Sequence, residues 1–578
     1  MTVPEPGRGP RYGSDLVVDL VDAMGINHVA LNPGASIRGL HESLVHAGHP
    51  ALVLVLHEEV GVAVAHGYAK AAGRPMAVLL HDLVGLQHAA MAIFNAWVDQ
   101  VPVLLVGGSG PADSRHRRPW IDWIHSVRWQ SLAVREVVKW DDQPVSIEGV
   151  LAGLTRAYRL ATVAPQGPTY VDVDALLQEA PAPNLPLPDL AGTLASSSLT
   201  AGADDLERAA ALLVAAERPV VLADLVGRSR RGYQALVELA EMLAAPVVDL
   251  GGRHNFPSRH WADLTDARAE ALAEADLVLS LDLRDVRWGI SEIDLETHGS
   301  RPLIGPGTRL VTLGLGDLLH RGFNDREGLV AADVALTVDT AVALPELVEL
   351  VRGRVSPGVR ADRAAALATR AQTARVARQR RAERAWNARP ISPARIAGEL
   401  WAPLREVPWL LANGTLSGWA RRLWDWDRYG CFLGQSGGAG LGYGVGASIG
   451  AALAAGDDGV VVDLQTDGDL LYTASALWTA ARERIPLLIV VENNRTYGKD
   501  RLHQATVAQA RRRGQDLIHL GIDIDDPPID LARLAEAQGV EGIGPVTDPD
   551  ELRPVLERAM RGVCEGRPVL VDVIVGRG

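Results

Sequence analysis

Two polar segments in the last third of the chain each follow an apolar run. Residues 467–469 are Asp-Gly-Asp, and residues 493–494 are Asn-Asn. If both runs are parallel strands, both segments lie at carboxyl ends of strands, where open α/β sheets bind ligands. Asp467 and Asn494 can then converge on one divalent cation, which prefers carboxylate, amide and carbonyl oxygens together with ligand phosphates. Gly468 would let the chain approach a diphosphate closely, and the next helix would present its amino terminus to that anion.

Each segment also has an ordinary interpretation. Asp-Gly-Asp alone is typical of a turn, and Asn-Asn alone is typical of a helix cap. Their occurrence at two strand ends of one strand–helix–strand unit favours the cation site over two unrelated local features.

Two further segments limit the class of function. His57-Glu58-Glu59 precedes an Ala-rich stretch and by itself is compatible with a helix that has acidic residues in its first turn. It is not a metalloprotease helix, because Gly61 stands where the HEXXH pattern requires its second histidine. The glycine-rich run 434–450 contains no strict GXGXXG, which disfavours a nucleotide-binding dehydrogenase.

Three stretches of alternating strand-like and helix-like segments must position these residues. Short runs rich in Val, Leu and Ile, each followed by helix-compatible residues, are typical of doubly wound parallel sheets. We therefore predict three α/β domains, with a Pro-rich linker after the first and a long connecting helix after the second. The predicted boundaries are 1–180 for the first domain, 193–355 for the middle domain, 356–390 for the connecting helix and 391–578 for the third domain.

The composition disfavours several classes of partner. Lys plus Arg number 57 and Asp plus Glu number 71, and the net charge of −14 disfavours binding to nucleic acid or to anionic membranes. Cys431 and Cys564 are too few for a disulfide framework, which favours a reducing compartment. No apolar run approaches the ~20 residues that a membrane-spanning helix needs. We expect a cytoplasmic protein with no nucleic-acid or membrane partner.

Four segments resemble the thiamine diphosphate-dependent enzyme superfamily, most closely benzoylformate decarboxylase and its acetolactate-synthase-like relatives. They are NPGAS from Asn32, LHEEVGVAVAHGYAKAAGRP from Leu56, HDLVGLQHAAMAIFNAWVDQVPVLLVGG from His81, and TDGDLLYTASALWTAARERIPLLIVVENNRTYG from Thr466. The resemblance covers nearly the whole chain. It implies that the domains are, in order, pyrimidine-binding, middle and diphosphate-binding, and that the cofactors are thiamine diphosphate and Mg2+.

The resemblance implies roles for residues of the third domain. Asp467, Asn494 and the backbone carbonyl of Thr496 would bind Mg2+. The diphosphate would contact neighbouring residues of these loops and one earlier hydroxyl group: Gly468, Asp469, Tyr497, Gly498 and Ser417. Asp469 stands where many relatives have serine, and an additional carboxylate beside a diphosphate requires neutralisation.

The resemblance also implies the activating groups. Glu58 would hydrogen-bond the aminopyrimidine ring and so promote loss of the thiazolium proton, and His81 would transfer protons. Leu441, within the glycine-rich run, would hold the cofactor in a bent shape. The cofactor would also contact the loop formed by Asn32, Pro33 and Gly34.

Four departures from the relatives touch the substrate side. Ala35 replaces a serine that faces the substrate carboxylate in benzoylformate decarboxylase, and Trp288 stands near the place of a second active-site histidine. Residues 499–501, Lys-Asp-Arg, replace small and apolar pocket residues, and the stretch His503–Pro528 replaces a shorter connection. Because buried charges need partners, charges near the pocket favour a polar or anionic substrate, unless they pair with each other at its rim.

These observations predict a 2-oxo acid decarboxylase, or a carboligase or lyase, that makes or breaks a carbon–carbon bond next to a carbonyl group. One alternative is a transferase like the acetolactate synthase catalytic subunit, although no FAD site is recognisable in the middle domain. Another is a catalytically silent cofactor-binding scaffold. Because Glu58 and Asp467 lie in different domains, the resemblance also implies a site completed between subunits. The homodimer would be the minimal active unit and a homotetramer the expected assembly.

Overall fold

A computed structural model describes residues 11–182, 185–195, 197–294, 299–319, 329–414 and 418–577. Its main strands form three parallel sheets flanked by helices, which confirms the predicted class of three α/β domains. Among the described residues, no helix combines the length and the apolarity needed to cross a bilayer. Ser417 lies outside the described residues.

The first sheet carries the amino-terminal candidate residues. Its strands are β1 (His28–Leu31), β2 (Ala51–Leu54), β3 (Met76–His81), β4 (Val103–Ser109), β5 (Asp141–Asp142) and β6 (Thr169–Asp174). They pair in parallel in the order β2-β1-β3-β4-β6-β5. The helices of this part of the chain are α1 (Gly13–Ala23), α2 (Arg38–Ala47), α3 (Glu58–Ala72), α4 (Asp82–His88), α5 (Ala90–Val98), α6 (Ile121–His125), α7 (Ile147–Thr162), α8 (Ala175–Glu179) and α9 (Leu190–Thr193). The continuous apolar runs of β3 and β4 are buried almost throughout, as expected for a sheet covered on both faces.

The middle sheet has the order β13-β12-β9-β7-β8, again with parallel pairing. A separate antiparallel pair, β10-β11, lies between β9 and β12 in sequence. The strands are β7 (Pro219–Ala223), β8 (Val247–Asp249), β9 (Leu277–Leu281), β10 (Ser291–Ile293), β11 (Ser300–Pro302), β12 (Arg309–Gly314) and β13 (Val334–Thr337). The helices are α10 (Ala203–Ala215), α11 (Arg230–Leu243), α12 (Arg268–Glu274), α13 (Val286–Gly289) and α14 (Thr340–Val351), followed by the 28-residue helix α15 (Pro357–Arg384).

The third sheet carries the candidate cation loops. Its strands are β14 (Trp409–Gly414), β15 (Val460–Thr466), β16 (Leu487–Asn493), β17 (Glu541–Val546) and β18 (Val569–Ile574), in the parallel order β14-β15-β16-β18-β17. The helices are α16 (Pro393–Leu404), α17 (Trp419–Leu423), α18 (Gly444–Ala455), α19 (Asp467–Tyr472), α20 (Ala476–Arg482), α21 (Gly498–Ala510), α22 (Leu531–Glu536) and α23 (Pro549–Cys564). Because β15 and β16 are neighbours, the loops that follow them lie at the same edge of the sheet.

The chain folds into two compact units. The first consists of the residues up to Ser197 together with Ser436–Gly456 and Thr473–Ile485, and the second consists of Ser198–Gln435, Asp457–Tyr472 and the residues from Pro486 onward. The first unit therefore contains the first sheet with helices α18 and α20. The second unit contains the middle and third sheets.

Within the first unit, helices α3 and α18 pack with their backbones in contact. A Cβ atom on Gly67 would lie 1.9 Å from the carbonyl oxygen of Ala447, and one on Gly450 would lie 1.9 Å from the carbonyl oxygen of Val64. Only glycine permits so close a crossing. The glycines of α18 therefore serve helix packing, and this packing fixes α3, whose first residue is Glu58.

The substitution Gly67→Ala should destabilise the first unit, because the added methyl group cannot fit against Ala447 unless one helix moves. Overpacking of this kind costs roughly 1–3 kcal/mol. Gly358→Ala in α15 is the matched control, because a Cβ atom there meets nothing within 4 Å and alanine favours a helix by about 1 kcal/mol. Amide hydrogen exchange should become faster in α3 and α18 for Gly67→Ala only. Unchanged exchange in both helices would show that they do not cross this closely.

Candidate functional site

The first unit places a buried carboxyl group beside the end of β1. Glu58 is the first residue of α3 and is only 6% exposed. The amide nitrogen of Asn32, the residue after β1, donates a hydrogen bond of 3.0 Å to Glu58 Oε1. A buried carboxyl group needs such a partner. The contact occupies Oε1 and fixes the orientation of the carboxyl group.

Ser36 fixes the proton position of His81, the last residue of β3. Ser36 Oγ lies 2.8 Å from His81 Nδ1, and the backbone N–H of Ser36 donates to the same nitrogen at 3.4 Å. Because Ser36 Oγ accepts a hydrogen bond from the N–H of Asp82 at 3.1 Å, its own proton can point to His81. Nδ1 is then an acceptor, and the neutral ring carries its proton on Nε2.

Gly34 allows the loop after β1 to reach His81. A Cβ atom on Gly34 would lie 2.2 Å from Cγ of the imidazole, so any larger residue would displace the ring. Pro33 is exposed in the same loop. The predicted loop therefore contacts Glu58 through Asn32 and approaches His81 at Gly34.

Asp82 is a site residue that the sequence analysis missed. Its backbone has φ +45°, in the left-handed region that non-glycine residues rarely adopt, and the residue is 2% exposed. Burial raises the pKa of Asp82, while the hydrogen bond from Ser126 (2.6 Å to Oδ1) and the charge of His81 oppose the shift. Strained backbone conformations of this kind cluster at functional sites. An aspartate at a strand end is too common to have revealed the residue from sequence alone.

His125, the last residue of α6, adds a second imidazole that the sequence analysis also missed. Its ring centroid lies 5.3 Å from that of His81, and its Nδ1 donates to the carbonyl of Ile121 at 3.0 Å. Burial lowers the pKa of His81; the Asp82 carboxylate opposes this shift and His125 reinforces it. His81 is therefore neutral near pH 7 and can donate from Nε2.

Leu441 is half-buried, and the residue before it is held by Asn95 of α5. The N–H of Gly440 donates to Asn95 Oδ1 at 3.3 Å, and Asn95 Nδ2 donates to the carbonyl of Gly440 at 3.5 Å. A Cβ atom on Gly440 would lie 2.2 Å from Cε of Met91. Asn95, the first residue of the Asn-Ala-Trp triplet, thus positions Leu441.

The second unit brings the two predicted cation loops together. Asp467 is 2% exposed, and its Oδ2 accepts a hydrogen bond of 2.7 Å from the backbone N–H of Arg495. Asn494 Oδ1 accepts the N–H of Thr496 at 3.0 Å, so the loop after β16 folds back on itself. Arg495, between these two residues, has φ +57°. The carboxylate of Asp467 thus contacts the loop that carries Asn494 and Thr496.

Close contacts around two glycines shape these loops. A Cβ atom on Gly468 would lie 2.7 Å from Cε1 of the Tyr497 ring, and one on Gly498 would lie 3.3 Å from Nδ2 of Asn494. A side chain at Gly468 would displace the tyrosine. The predicted cofactor residues Gly468, Tyr497 and Gly498 therefore lie in the same pair of loops as the predicted metal ligands.

Asp469 is buried in the first turn of α19. Burial raises the pKa of Asp463, on β15 below it, to about 8; the Asn413 hydrogen bond opposes this shift and the charge of Asp469 adds to it. Asp463 is therefore largely protonated at neutral pH, which limits the negative charge beneath the loops. The predicted contact of Ser417 with a diphosphate lies outside the described residues.

The donor set fits a divalent cation that also binds a diphosphate. Asp467, Asn494 and the backbone of Thr496 offer hard oxygen ligands and leave coordination positions for phosphate oxygens. Burial, with a contribution from Asp467, raises the pKa of the neighbouring Glu492 to about 7. A cation between these groups would offset their negative charge.

Family models match three parts of the chain. The N-terminal TPP binding domain of thiamine pyrophosphate enzymes matches residues 11–130, their central domain matches residues 206–287, and their C-terminal TPP binding domain matches residues 412–573. Together these matches span more than half of the chain. The chain belongs to the thiamine pyrophosphate enzymes.

This thiamine pyrophosphate enzyme has full-length relatives. It is 27% identical to the benzoylformate decarboxylase of Pseudomonas aeruginosa over 532 residues, covering 90% of this chain and 91% of the relative. It is 25% identical to the acetolactate synthase isozyme 3 large subunit of Escherichia coli K12 over 570 residues, covering 97% and 94%. The solved thiamine diphosphate-dependent 4-hydroxybenzoylformate decarboxylase of Rhodococcus jostii RHA1 has the same fold, with a TM-score of 0.73 at 23% identity over 98% of this chain and 99% of that one. The enzyme is thus of the decarboxylase and acetolactate synthase type.

In this thiamine pyrophosphate enzyme, one of the three charged residues 499–501 after β16 forms an ion pair. Arg501 pairs with Asp523 at 2.7 Å, whereas Lys499 and Asp500 are exposed at the start of α21. The partner of Arg501 comes from the stretch His503–Pro528 and not from the adjacent aspartate. This pairing weakens the inference that the segment selects an anionic substrate.

Removal of Asp82 and removal of His125 should move the pKa of His81 in opposite directions. Asp82→Asn removes a negative charge that favours the imidazolium and should lower the pKa further. His125→Gln removes a neighbour that disfavours the imidazolium and should raise the pKa. An NMR titration of the His81 ring protons, assigned with His81→Gln, measures both shifts. The exposed Glu136→Gln is the control; shifts of the same sign in the two test variants would contradict this electrostatic arrangement.

Proposed function

We propose that this thiamine pyrophosphate enzyme uses thiamine diphosphate and Mg2+ to make or break a carbon–carbon bond next to the carbonyl group of a small 2-oxo acid or related carbonyl compound. The observation that carries the proposal is the buried Glu58 carboxyl group, held by Asn32 at the sheet edge that also carries His81. The names of two relatives, a benzoylformate decarboxylase and an acetolactate synthase, support 2-oxo acids as the substrate class.

The loops of the second unit would hold the metal and the diphosphate. Asp467 and Asn494 would supply side-chain oxygens, and Thr496 would supply its backbone carbonyl. Burial raises the pKa of Asp467, while backbone N–H groups, that of Arg495 among them, oppose the shift. A cation would hold this carboxylate in its ionised form. Gly468, which has no side chain, would let the backbone approach the diphosphate from the side that Tyr497 does not cover.

The first unit would supply the groups that move protons. Thiamine diphosphate, when bound, would supply a carbon nucleophile for the carbonyl group and a cationic ring that accepts the electron pair of the bond that breaks. Glu58 would hold a proton at Oε2 while Asn32 fixes Oε1. His81 would give or take a proton at Nε2 while Ser36 holds Nδ1. Leu441, positioned through Asn95, would support the bent form of the cofactor.

The assembly is part of the proposal. Glu58 belongs to the first unit and Asp467 to the second, and the family resemblance implies that two chains complete the site. We propose a homodimer as the minimal active unit and a homotetramer as the assembly. Light scattering combined with activity measurements during dilution tests this. Activity should fall as the dimer dissociates, and an active monomer would contradict it.

Glu58→Gln should remove most turnover and leave cofactor binding nearly unchanged, because an amide of the same shape cannot exchange the proton. Loss of a general acid–base group costs roughly 10²–10⁴-fold in rate. The measurement is CO2 release and product formation from a panel of 2-oxo acids, with and without acceptor aldehydes, in the presence of Mg2+ and thiamine diphosphate. The preferred acid would identify the donor, and a new carbon–carbon bond in the product would identify a carboligase.

Glu59→Gln is the matched control, because Glu59 occupies the same first turn of α3; this variant should retain turnover. Failure of the wild-type protein to bind thiamine diphosphate in a calorimetric titration with Mg2+ would refute the proposal. Tight binding without turnover of any carbonyl donor would instead identify a catalytically silent cofactor-binding scaffold.

A further inference from the structure

The chain that follows α21 returns to the candidate metal loop, residues 494–496. The N–H of Tyr497 donates to the carbonyl of Ile522 at 3.2 Å, and the N–H of Ile524 donates to the carbonyl of Arg495 at 3.0 Å. These bonds form an antiparallel bridge between Thr496 and the middle of residues 522–524. The returning residues belong to the stretch His503–Pro528, which the sequence predicts to replace a shorter connection in the relatives. We call residues 522–524 the brace.

Asp523, in the middle of the brace, joins three parts of the second unit. Its side chain is 6% exposed. Its Oδ1 accepts hydrogen bonds from Thr496 Oγ1 and from Arg501 Nη1, both at 2.7 Å, and its Oδ2 accepts one from Arg577 Nη1 at 2.7 Å. One carboxylate therefore links the metal loop, the first turn of α21 and the segment after β18.

The backbone conformation of the metal loop must be held by contacts with neighbouring segments. It passes through Arg495 in the left-handed region, φ +57°, a conformation that is unfavourable in a non-glycine residue. The proposed Mg2+ ligands Asn494 and Thr496 lie on either side of this residue. Mg2+ requires near-octahedral ligands at about 2.0–2.1 Å. A small displacement of the Thr496 carbonyl would therefore weaken metal binding.

We infer that Asp523 is a positioning residue for the cation. Through Thr496 Oγ1 and the backbone bonds of the brace, it holds the carbonyl of Thr496 where the metal ion and the diphosphate are bound. Arg501 and Arg577 keep the carboxylate in place. The inference rests on the proposed function, because it concerns the same cation, and it gives the additional stretch a role in metal binding.

The variant Asp523→Asn tests this role, because it keeps the shape of the side chain and removes the charge that holds both arginines. Mn2+ is the probe, since electron paramagnetic resonance measures its binding directly in the presence of thiamine diphosphate. We expect the dissociation constant of Mn2+ to rise roughly tenfold or more, as is typical when the outer partner of a metal ligand is lost. Turnover should recover at high metal concentration.

Asp516→Asn is the matched control, because Asp516 is an exposed carboxylate in the same stretch; its Mn2+ affinity should equal that of the wild type. A second pair of variants acts on the other end of the hydrogen bond. Thr496→Val removes the hydroxyl group and should reproduce the loss of affinity, whereas Thr496→Ser keeps the hydroxyl group and should not. This pair decides the question if Asp523→Asn fails to fold.

Unchanged Mn2+ affinity in Asp523→Asn, or equal affinity in Thr496→Val and Thr496→Ser, would overturn the inference and leave the proposed function intact. A lower unfolding temperature of the cofactor-free protein with unchanged Mn2+ affinity would also overturn it, since Asp523 would then act on stability alone. Failure of the wild-type protein to bind Mn2+ with thiamine diphosphate would instead refute the proposed function.

Discussion

The hydrogen bond between Asn32 and the buried carboxyl group of Glu58 is the contact on which the first half of the site depends. A buried carboxyl group is costly without a partner, and an intramolecular hydrogen bond contributes about 0.5–1.5 kcal/mol. The bond forms only if the loop after β1 and the start of α3 are both fixed. Parallel pairing of β1 with β2 fixes the loop, and the close crossing of α3 and α18 fixes the helix.

The two units share one backbone feature beside their candidate residues, although those residues differ in charge. Each has a non-glycine residue in the left-handed region directly beside its candidate groups, Asp82 after His81 and Arg495 after Asn494. In each, hydrogen bonds to neighbouring loops hold that conformation. The first unit thereby places the His81 imidazole and the buried Glu58 carboxyl group at one sheet edge. The second places the side-chain oxygens of Asp467 and Asn494 in adjoining loops.

The sequence was sufficient to predict the three parallel-sheet domains. It also indicated which polar residues would lie near each other, because parallel pairing brings the carboxyl ends of neighbouring strands to one edge. Asp467 and Asn494 follow this rule directly. The chemical roles of these residues stay predictions. The placement of Ser417 stays a prediction.

Contacts that depend on loop geometry could not be predicted in this way. Ser36 and His125 reach His81 from a turn and from a short helix, and no periodic pattern fixes either. Asp523 meets Thr496 only because a long segment folds back, a path that residue spacing does not encode. The glycine-rich run shows a different limit: the family resemblance implied a role beside the cofactor, whereas the structure shows that the glycines of α18 also permit close helix packing.

The claim that Glu58 activates the bound cofactor can be measured without any substrate. Hydrogen–deuterium exchange at C2 of the thiazolium ring, followed by rapid quenching and proton NMR, compares the wild type with Glu58→Gln at saturating Mg2+. We expect rapid exchange in the wild type and a rate roughly 10²–10⁴-fold lower in the variant at the same cofactor occupancy. Equal exchange rates at equal occupancy would contradict it.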